Sequence, residues 1–158
     1  MKISIVADLY GFPLKESVKA YLKSKDYEIT DYGVNETLDP TPYYKTADKV
    51  AKSLGNGEHD RAVLVCGTGM GMAIIANKHP GIYAAVCEST FAAEKARSIN
   101  NSNILTLGSM VTTEAVARDI VDIWLTTRFT EGWDDAIQDW LKNSMDDIAS
   151  FERHQFKK

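Results

Sequence analysis

The sequence predicts a single α/β domain: a parallel five-stranded sheet with helices on both faces and a helical tail at the C-terminus. Three observations carry that prediction. Short apolar runs rich in β-branched residues alternate with longer runs of helical period. The resulting β-α-β-α order calls for parallel strands joined by crossover helices. The length, 158 residues, is one that a single core can serve.

The elements follow in order. Lys2 to Ala7 reads as the first strand and Pro13 to Lys25 as the first helix. Tyr27 to Tyr32 and Tyr43 to Leu54 form the second pair. Ala62 to Cys66 is a buried strand that stops at Gly67-Thr-Gly-Met-Gly71, with helix from Met70 to Lys78. Tyr83 to Cys87 is followed by a helix from Thr90 to Ser98, with Ser89 or Thr90 as its cap. Ile104 to Leu107 is the fifth strand, and a helix from Thr113 to Thr127 follows, opened by Thr112 or Thr113 with Glu114. In the tail, residues 131–158, Trp133, Ile137, Trp140, Leu141 and Met145 recur at helical spacing. That face packs on the chain's own core or, the favoured reading, on a second subunit, because two exposed tryptophans would make a costly patch.

Composition narrows the function. With a net charge of −4 nothing attracts nucleic acid. The apolar stretch at the N-terminus is too short for a signal sequence, and no later run is long enough for a membrane span, so the expected location is the cytoplasm. There Cys66 and Cys87 are expected as free thiols. His59, His79 and His154 lack metal-ligand spacing, and no metal is expected. His59 is expected to face solvent, and His79 to be structural.

In a sheet of this kind ligands bind outside the carboxyl ends of the strands. Polar residues collect there: Asp8, Cys66, Glu88 and Ser89, with the cluster Asn100 to Asn103 read as part of the same group. Cys66 stands at the mouth of the glycine turn, where backbone N–H groups at a helix start favour anions and thiolates. The pattern fits an anion cradle, a proton-transfer site, or both, and equally a small buried hydrophobe at a strand end. It is neither a dinucleotide fingerprint nor a Walker loop.

The ordered motifs are more specific than the loop alone. Ala7-Asp-Leu-Tyr-Gly-Phe-Pro-Leu-Lys15, Gly57-Glu-His-Asp-Arg61, Val65-Cys-Gly-Thr-Gly-Met-Gly-Met72, Ala76-Asn-Lys-His-Pro-Gly81 and Asn100-Asn-Ser-Asn-Ile-Leu-Thr-Leu-Gly108 together resemble the RpiB/LacAB family of sugar-phosphate isomerases over residues 1–130. The resemblance implies a Rossmann-like fold and a homodimer or homotetramer with sites shared across an interface. It also implies aldose–ketose isomerisation through a cis-enediolate without metal or cofactor. By resemblance Cys66 is the base and Thr68 assists proton traffic at the oxygens. The N–H groups of Gly67, Gly69, Met70 and Gly71 hold the enediolate, and Asp8, Tyr43 and Asn100 contact the sugar. The variant of the family with a glutamate base after the loop is excluded by Met72.

The departures bear on the substrate. Leu9 and Ile99 stand where the family's ribose-5-phosphate isomerases carry histidines, the second of which opens the furanose ring. Met110 replaces an arginine of the phosphate site, and Gly132-Trp133-Asp134 replaces a Gly-Arg-His motif. A tetrose 4-phosphate cannot close to a furanose and needs no ring opening, which makes erythrulose 4-phosphate the leading substrate. Arg97, Lys15, Arg153, His154 and Lys157 are the candidate phosphate cations. Three other readings stand beside it: a ribose-5-phosphate or galactose-6-phosphate isomerase, perhaps as one half of a paired hetero-oligomer with a paralogous subunit; an isomerase of an unphosphorylated sugar; and a non-catalytic sugar-binding member.

Overall fold

A computed structural model describes residues 1–33 and 41–156. Its five strands are β1 (Lys2–Ala7), β2 (Glu28–Asp31), β3 (Arg61–Cys66), β4 (Ala84–Val86) and β5 (Ile104–Gly108). Between and after them run α1 (Phe12–Ser24), α2 (Tyr43–Gly55), α3 (Met70–Ala76), α4 (Thr90–Ser98), α5 (Glu114–Thr126) and α6 (Asp135–Gln155). All strand pairs are parallel, in the order β2-β1-β3-β5-β4. From β1 the chain steps to β2 on one side and then crosses to β3 on the other. The carboxyl ends of β1 and β3 are therefore neighbours at a topological switch point, where open sheets of this kind form their crevice.

Alternation along the strands sorts the core into two faces. Ile3, Ile5, Val63, Val65, Leu105 and Leu107 meet Leu14, Val18, Leu22, Ile120 and the fully buried Trp124. Val6, Leu64, Cys66 and Ile104 meet Val50, Leu54, Met72 and Ala76 of α2 and α3. The period of two puts Cys66 on the α2/α3 face, whereas Val65 points the other way. Ser89 and Thr113 cap α4 and α5 as expected, their hydroxyls accepting from Ala92 N at 3.1 Å and Val116 N at 3.5 Å.

The tail helix α6 forms as the spacing of Trp133 to Met145 predicts, yet Leu141 is its one buried side chain among those described. Trp140 and Phe151 are 64% and 69% exposed. Leu141 is covered by the chain's own residues, whereas Trp140 and Phe151 are left uncovered. Lys157 lies outside the described residues. No helix among the described residues is long and apolar enough to cross a membrane.

Candidate active site

The glycine turn is shaped by its backbone before any side chain acts. Gly69 has φ of +77°, the left-handed region that side-chain-bearing residues avoid, and so turns the chain from β3 into α3. That turn brings the Gly69 N–H back onto Cys66 Sγ at 3.1 Å. The thiol is free, buried and engaged by a backbone donor, at the end of a strand paired on both sides, with β1 and β5.

Asp8 stands beside it. Ala7 pairs with Val65, and Asp8 N donates to Val65 O at 3.2 Å, so the residue following β1 aligns with the last residue of β3. Its Oδ1 accepts from Gly11 N at 2.9 Å, which closes the turn into α1. Burial pushes the Asp8 carboxyl above its ordinary value, against the lowering effect of the N–H groups of Gly11, Tyr10 and Asp8 itself. Asp8 is thus both a turn cap and a buried carboxyl at the mouth of the crevice.

Tyr43, the first residue of α2, lays its ring on the far side of the loop. A Cβ at Gly71 would fall 2.7 Å from Tyr43 Cε2, so glycine is what allows the ring its place. A third segment, the turn after β5, is tied to the first two: Ser109 N donates to Cys66 O at 2.8 Å and Met110 N to Gly67 O at 2.9 Å. Ser109 Oγ donates to Tyr10 O at 2.8 Å. These bonds carry the exposed Met110 thioether over Gly67, where an added Cβ would meet its Cε at 3.3 Å and its Sδ at 3.4 Å. Thr68 is exposed at the crest of the loop and Met70 is half exposed at the start of α3.

The structure thus gathers Asp8, Tyr43, Cys66, Gly67, Thr68, Gly69, Met70 and Gly71 at one edge of the sheet. It does not bring Asn100 there. Asn100 precedes β5, and because β5 runs parallel to β3, with Cys66 level with Gly108, the start of β5 lies at the opposite edge. Grouping residues 100–103 with the carboxyl ends is therefore corrected: they line the amino end. Arg97 belongs to that edge too. It is buried and donates to Asn101 Oδ1 at 3.0 Å and Ser102 O at 2.6 Å, which holds the loop rather than an anion beside Cys66. Burial, with Arg61 nearby, pulls its guanidinium down to about 10.

Lys15 is fully buried and ion-paired to Asp31 Oδ2 at 2.8 Å and Glu16 Oε1 at 2.9 Å. Arg153 and His154 sit in the last turn of α6, next to Glu152, whose carboxylate accepts from Gly81 N at 3.1 Å. His59 does not simply face solvent: its ring meets Tyr32 edge-on at 5.4 Å, and Nδ1 lies 3.4 Å from Ser53 Oγ. His79 pairs with Asp48 at 3.1 Å. Cys87 is core, and burial pushes its thiol up to about 12. Among the described residues no cluster of three or more His, Cys, Asp or Glu could hold a metal ion.

Sequence reasoning missed Gly11 and Ser109. A Cβ at Gly11 would fall 2.2 Å from Val65 O, so this glycine lets α1 begin directly against the end of β3. Its signal was the isolated glycine before Phe12-Pro13. Ser109 had none, since its contact is made 99 residues away.

Comparison with known proteins identifies the family. The family described as Ribose/Galactose Isomerase matches residues 3–140. The 4-deoxy-4-sulfo-D-erythrose isomerase of Clostridium sp. (strain MSTE9) is 46% identical over 158 residues, covering 100% of this chain and 99% of the relative. The D-erythrulose-4-phosphate isomerase of Pectobacterium atrosepticum is 38% identical over 132 residues, 84% of this chain and 87% of the relative. In structure, ribose-5-phosphate isomerase B of Clostridium thermocellum superposes with a TM-score of 0.89 at 37% identity, covering 98% of this chain and 99% of that one. The chain belongs to the RpiB/LacAB family of ribose and galactose isomerases.

Proposed function

We propose that this protein interconverts an open-chain four-carbon ketose and its aldose, each carrying an oxyanion group on C4, with Cys66 as the proton-transferring base. The observation that carries the reading is the Cys66 thiol held by the Gly69 N–H at the switch point beside Asp8. The thiolate takes a proton from C1 of the ketose, and the electron pair becomes the C1=C2 double bond as O2 takes the negative charge. The O1 proton passes to O2, a transfer for which the exposed Thr68 hydroxyl is available. The thiol then returns its proton to C2, leaving the aldehyde at C1. Backbone N–H groups of residues 67–71 answer the charge on oxygen, and it is the charge of the intermediate that they stabilise most.

The four-carbon substrate rests on the two lost histidines. Leu9 and Ile99 cannot relay a proton, so a furanose would stay closed. A tetrose whose C4 carries a phosphate ester or a sulfonate has no O4 hydroxyl to close that ring. The Clostridium sp. and P. atrosepticum relatives, named for four-carbon substrates of both kinds, support the same size.

The working unit is a homo-oligomer in which Asn100 of one subunit reaches Cys66 of another. Two observations support it: Asn100 and Cys66 lie at opposite edges of one chain's sheet, and α6 leaves Trp140 and Phe151 uncovered. A cytoplasmic setting fits two cysteines that stay unpaired.

The test is a panel of D-erythrulose 4-phosphate, 4-deoxy-4-sulfo-D-erythrulose, ribose 5-phosphate and galactose 6-phosphate with the purified protein. Turnover confined to the two four-carbon compounds is expected. Ribose 5-phosphate turnover of equal efficiency overturns the substrate reading.

A further inference from the structure

The lost arginines leave an open chemical question: what holds the oxyanion on C4. We infer that Lys95 does, presented to the neighbouring subunit's site on a platform made by the rings of Phe91 and Trp133. This rests on the shared-site reading above, in which the edge that carries Asn100 faces a neighbour's Cys66.

The geometry is specific. Lys95 Nζ lies 5.5 Å from the centroid of Phe91 and 5.2 Å from that of Trp133. Two ring faces fix the position of one ammonium, which a single flexible lysine on an open surface does not achieve. Phe91 is 68% exposed, so this side of the platform is open to solvent. Trp133 stands where the resemblance expects the arginine of a Gly-Arg-His motif, so the cation is displaced from one residue and restored by another. Lys95 is also one helical turn before Ile99 and Asn100, and its carbonyl accepts from Ile99 N at 2.9 Å.

The surroundings hold this arrangement in place. Thr130 N donates to Ser98 O at 2.9 Å, which ties the turn before Trp133 to the end of α4. Gln138 Nε2 donates to Trp133 O at 2.8 Å, anchoring the same turn from α6. Lys95 pairs with Glu94 Oε1 at 2.7 Å, but this contact is between adjacent residues and half-open to solvent, where such pairs are weak and readily exchanged for a ligand oxyanion. Two of the other candidate cations are engaged elsewhere: Arg97 holds the 101–102 loop and Lys15 is ion-paired beneath α1. A single ammonium on an aromatic platform suits one terminal oxyanion, whether sulfonate or phosphate.

Lys95→Met and Lys95→Arg are compared with the native protein on three ketoses: 4-deoxy-4-sulfo-D-erythrulose, D-erythrulose 4-phosphate and uncharged D-erythrulose. Lys95→Met is expected to raise KM for the charged substrates about tenfold or more with little change in kcat. Lys95→Arg should recover most of that loss, and kcat/KM for D-erythrulose should not move. The sulfonate and phosphate arms show which oxyanion depends on Lys95 more. An equal loss on D-erythrulose marks a structural role and overturns the assignment, as does an unchanged KM for both charged compounds. If the native protein isomerises none of the three, the functional reading itself falls. If the native protein isomerises them and Lys95→Met leaves their ratios unaltered, only the assignment of Lys95 falls.

Discussion

The backbone N–H of Gly69 donates to Cys66 Sγ across 3.1 Å, and the left-handed backbone at Gly69 is what turns that donor toward the sulfur. The thiol thus has a fixed backbone donor. Cys66→Ala removes the proposed base while the strand and turn should stay as they are. Its isomerase activity should fall by roughly 10²- to 10⁴-fold, the range a positioned general base contributes. Exchange of the substrate C1 and C2 hydrogens with deuterated water, followed by NMR, should stop in parallel. Exchange that persists in Cys66→Ala would assign the base elsewhere.

Gly71 and Tyr43 form a second dependent pair. An alanine at Gly71 places its methyl 2.7 Å from the Tyr43 ring, so the ring must swing out of its place against the glycine turn. Gly71→Ala should raise KM several-fold, because the half-exposed ring can move and the fold is spared. In a Tyr43→Ala background the same substitution should cost almost nothing. That non-additivity, read from a double-mutant cycle, is the measurement; full additivity would mean that the two do not meet.

How much of this could be read in advance follows from the range of each interaction. The strand at residues 62–66 and its turn were legible because apolar alternation and glycine spacing are local. Cys66 was placed correctly at a strand mouth for the same reason. Asn100 was grouped with the wrong edge because a loop before a strand and a loop after one look alike in composition. Only the parallel register, Cys66 with Gly108, separates them. Arg97 and Lys15 looked like free cations because burial is a tertiary property; in the fold one holds a loop and the other an ion pair. The face of α6 was legible as apolar at Trp140 and Leu141, but periodicity does not say that Leu141 is covered in a single chain while Trp140 stays open.

The ion pairs under α1 give a stability prediction. Burial alone would raise the Asp31 carboxyl, but the Lys15 and Lys19 ammoniums outweigh it and hold it below its ordinary value; the same two lysines lower Glu16. A carboxyl lowered in the folded state stabilises the fold above its unfolded value, 3.8 for Asp31. That contribution is lost as pH falls through the lower folded value. Asp31→Asn strips a partner from a fully buried Lys15 and should cost about 2–4 kcal/mol at neutral pH. In urea unfolding, the gap between native and variant should narrow as pH falls below 3.8. A gap that is constant with pH would assign the loss to packing rather than charge.

Met110 bears on the choice between the two four-carbon oxyanions. Its thioether covers Gly67 with its backbone pinned to the turn that carries Cys66, so whatever replaces it enters the crevice from a fixed point. A sulfonate carries one charge at any working pH, whereas a phosphate monoester carries close to two at neutrality and needs more donors to leave water. Met110→Arg adds a forked donor at that point and should shift the ratio of kcat/KM values toward D-erythrulose 4-phosphate by about tenfold. Met110→Leu, of similar volume, should leave the ratio alone. A ratio that Met110→Arg does not move would show that the C4 group lies away from Gly67.

The opposite placement of Cys66 and Asn100 leads to the most decisive experiment. If each site joins Cys66 of one subunit to Asn100 of another, Cys66→Ala and Asn100→Ala proteins are each inactive as pure assemblies. After mixing and subunit exchange, half of the dimers are hybrids. Each hybrid has one site with both residues native and one with neither, because a two-fold axis pairs the residues crosswise. The mixture should recover about a quarter of native activity, rising over the time of exchange. Were both residues to act within a single chain, every site in the hybrid would still lack one of them and no activity would return. Trp140→Glu, on the uncovered face of α6, should weaken the assembly in analytical ultracentrifugation and lower activity with it, since a separated subunit has Cys66 but no Asn100 opposite.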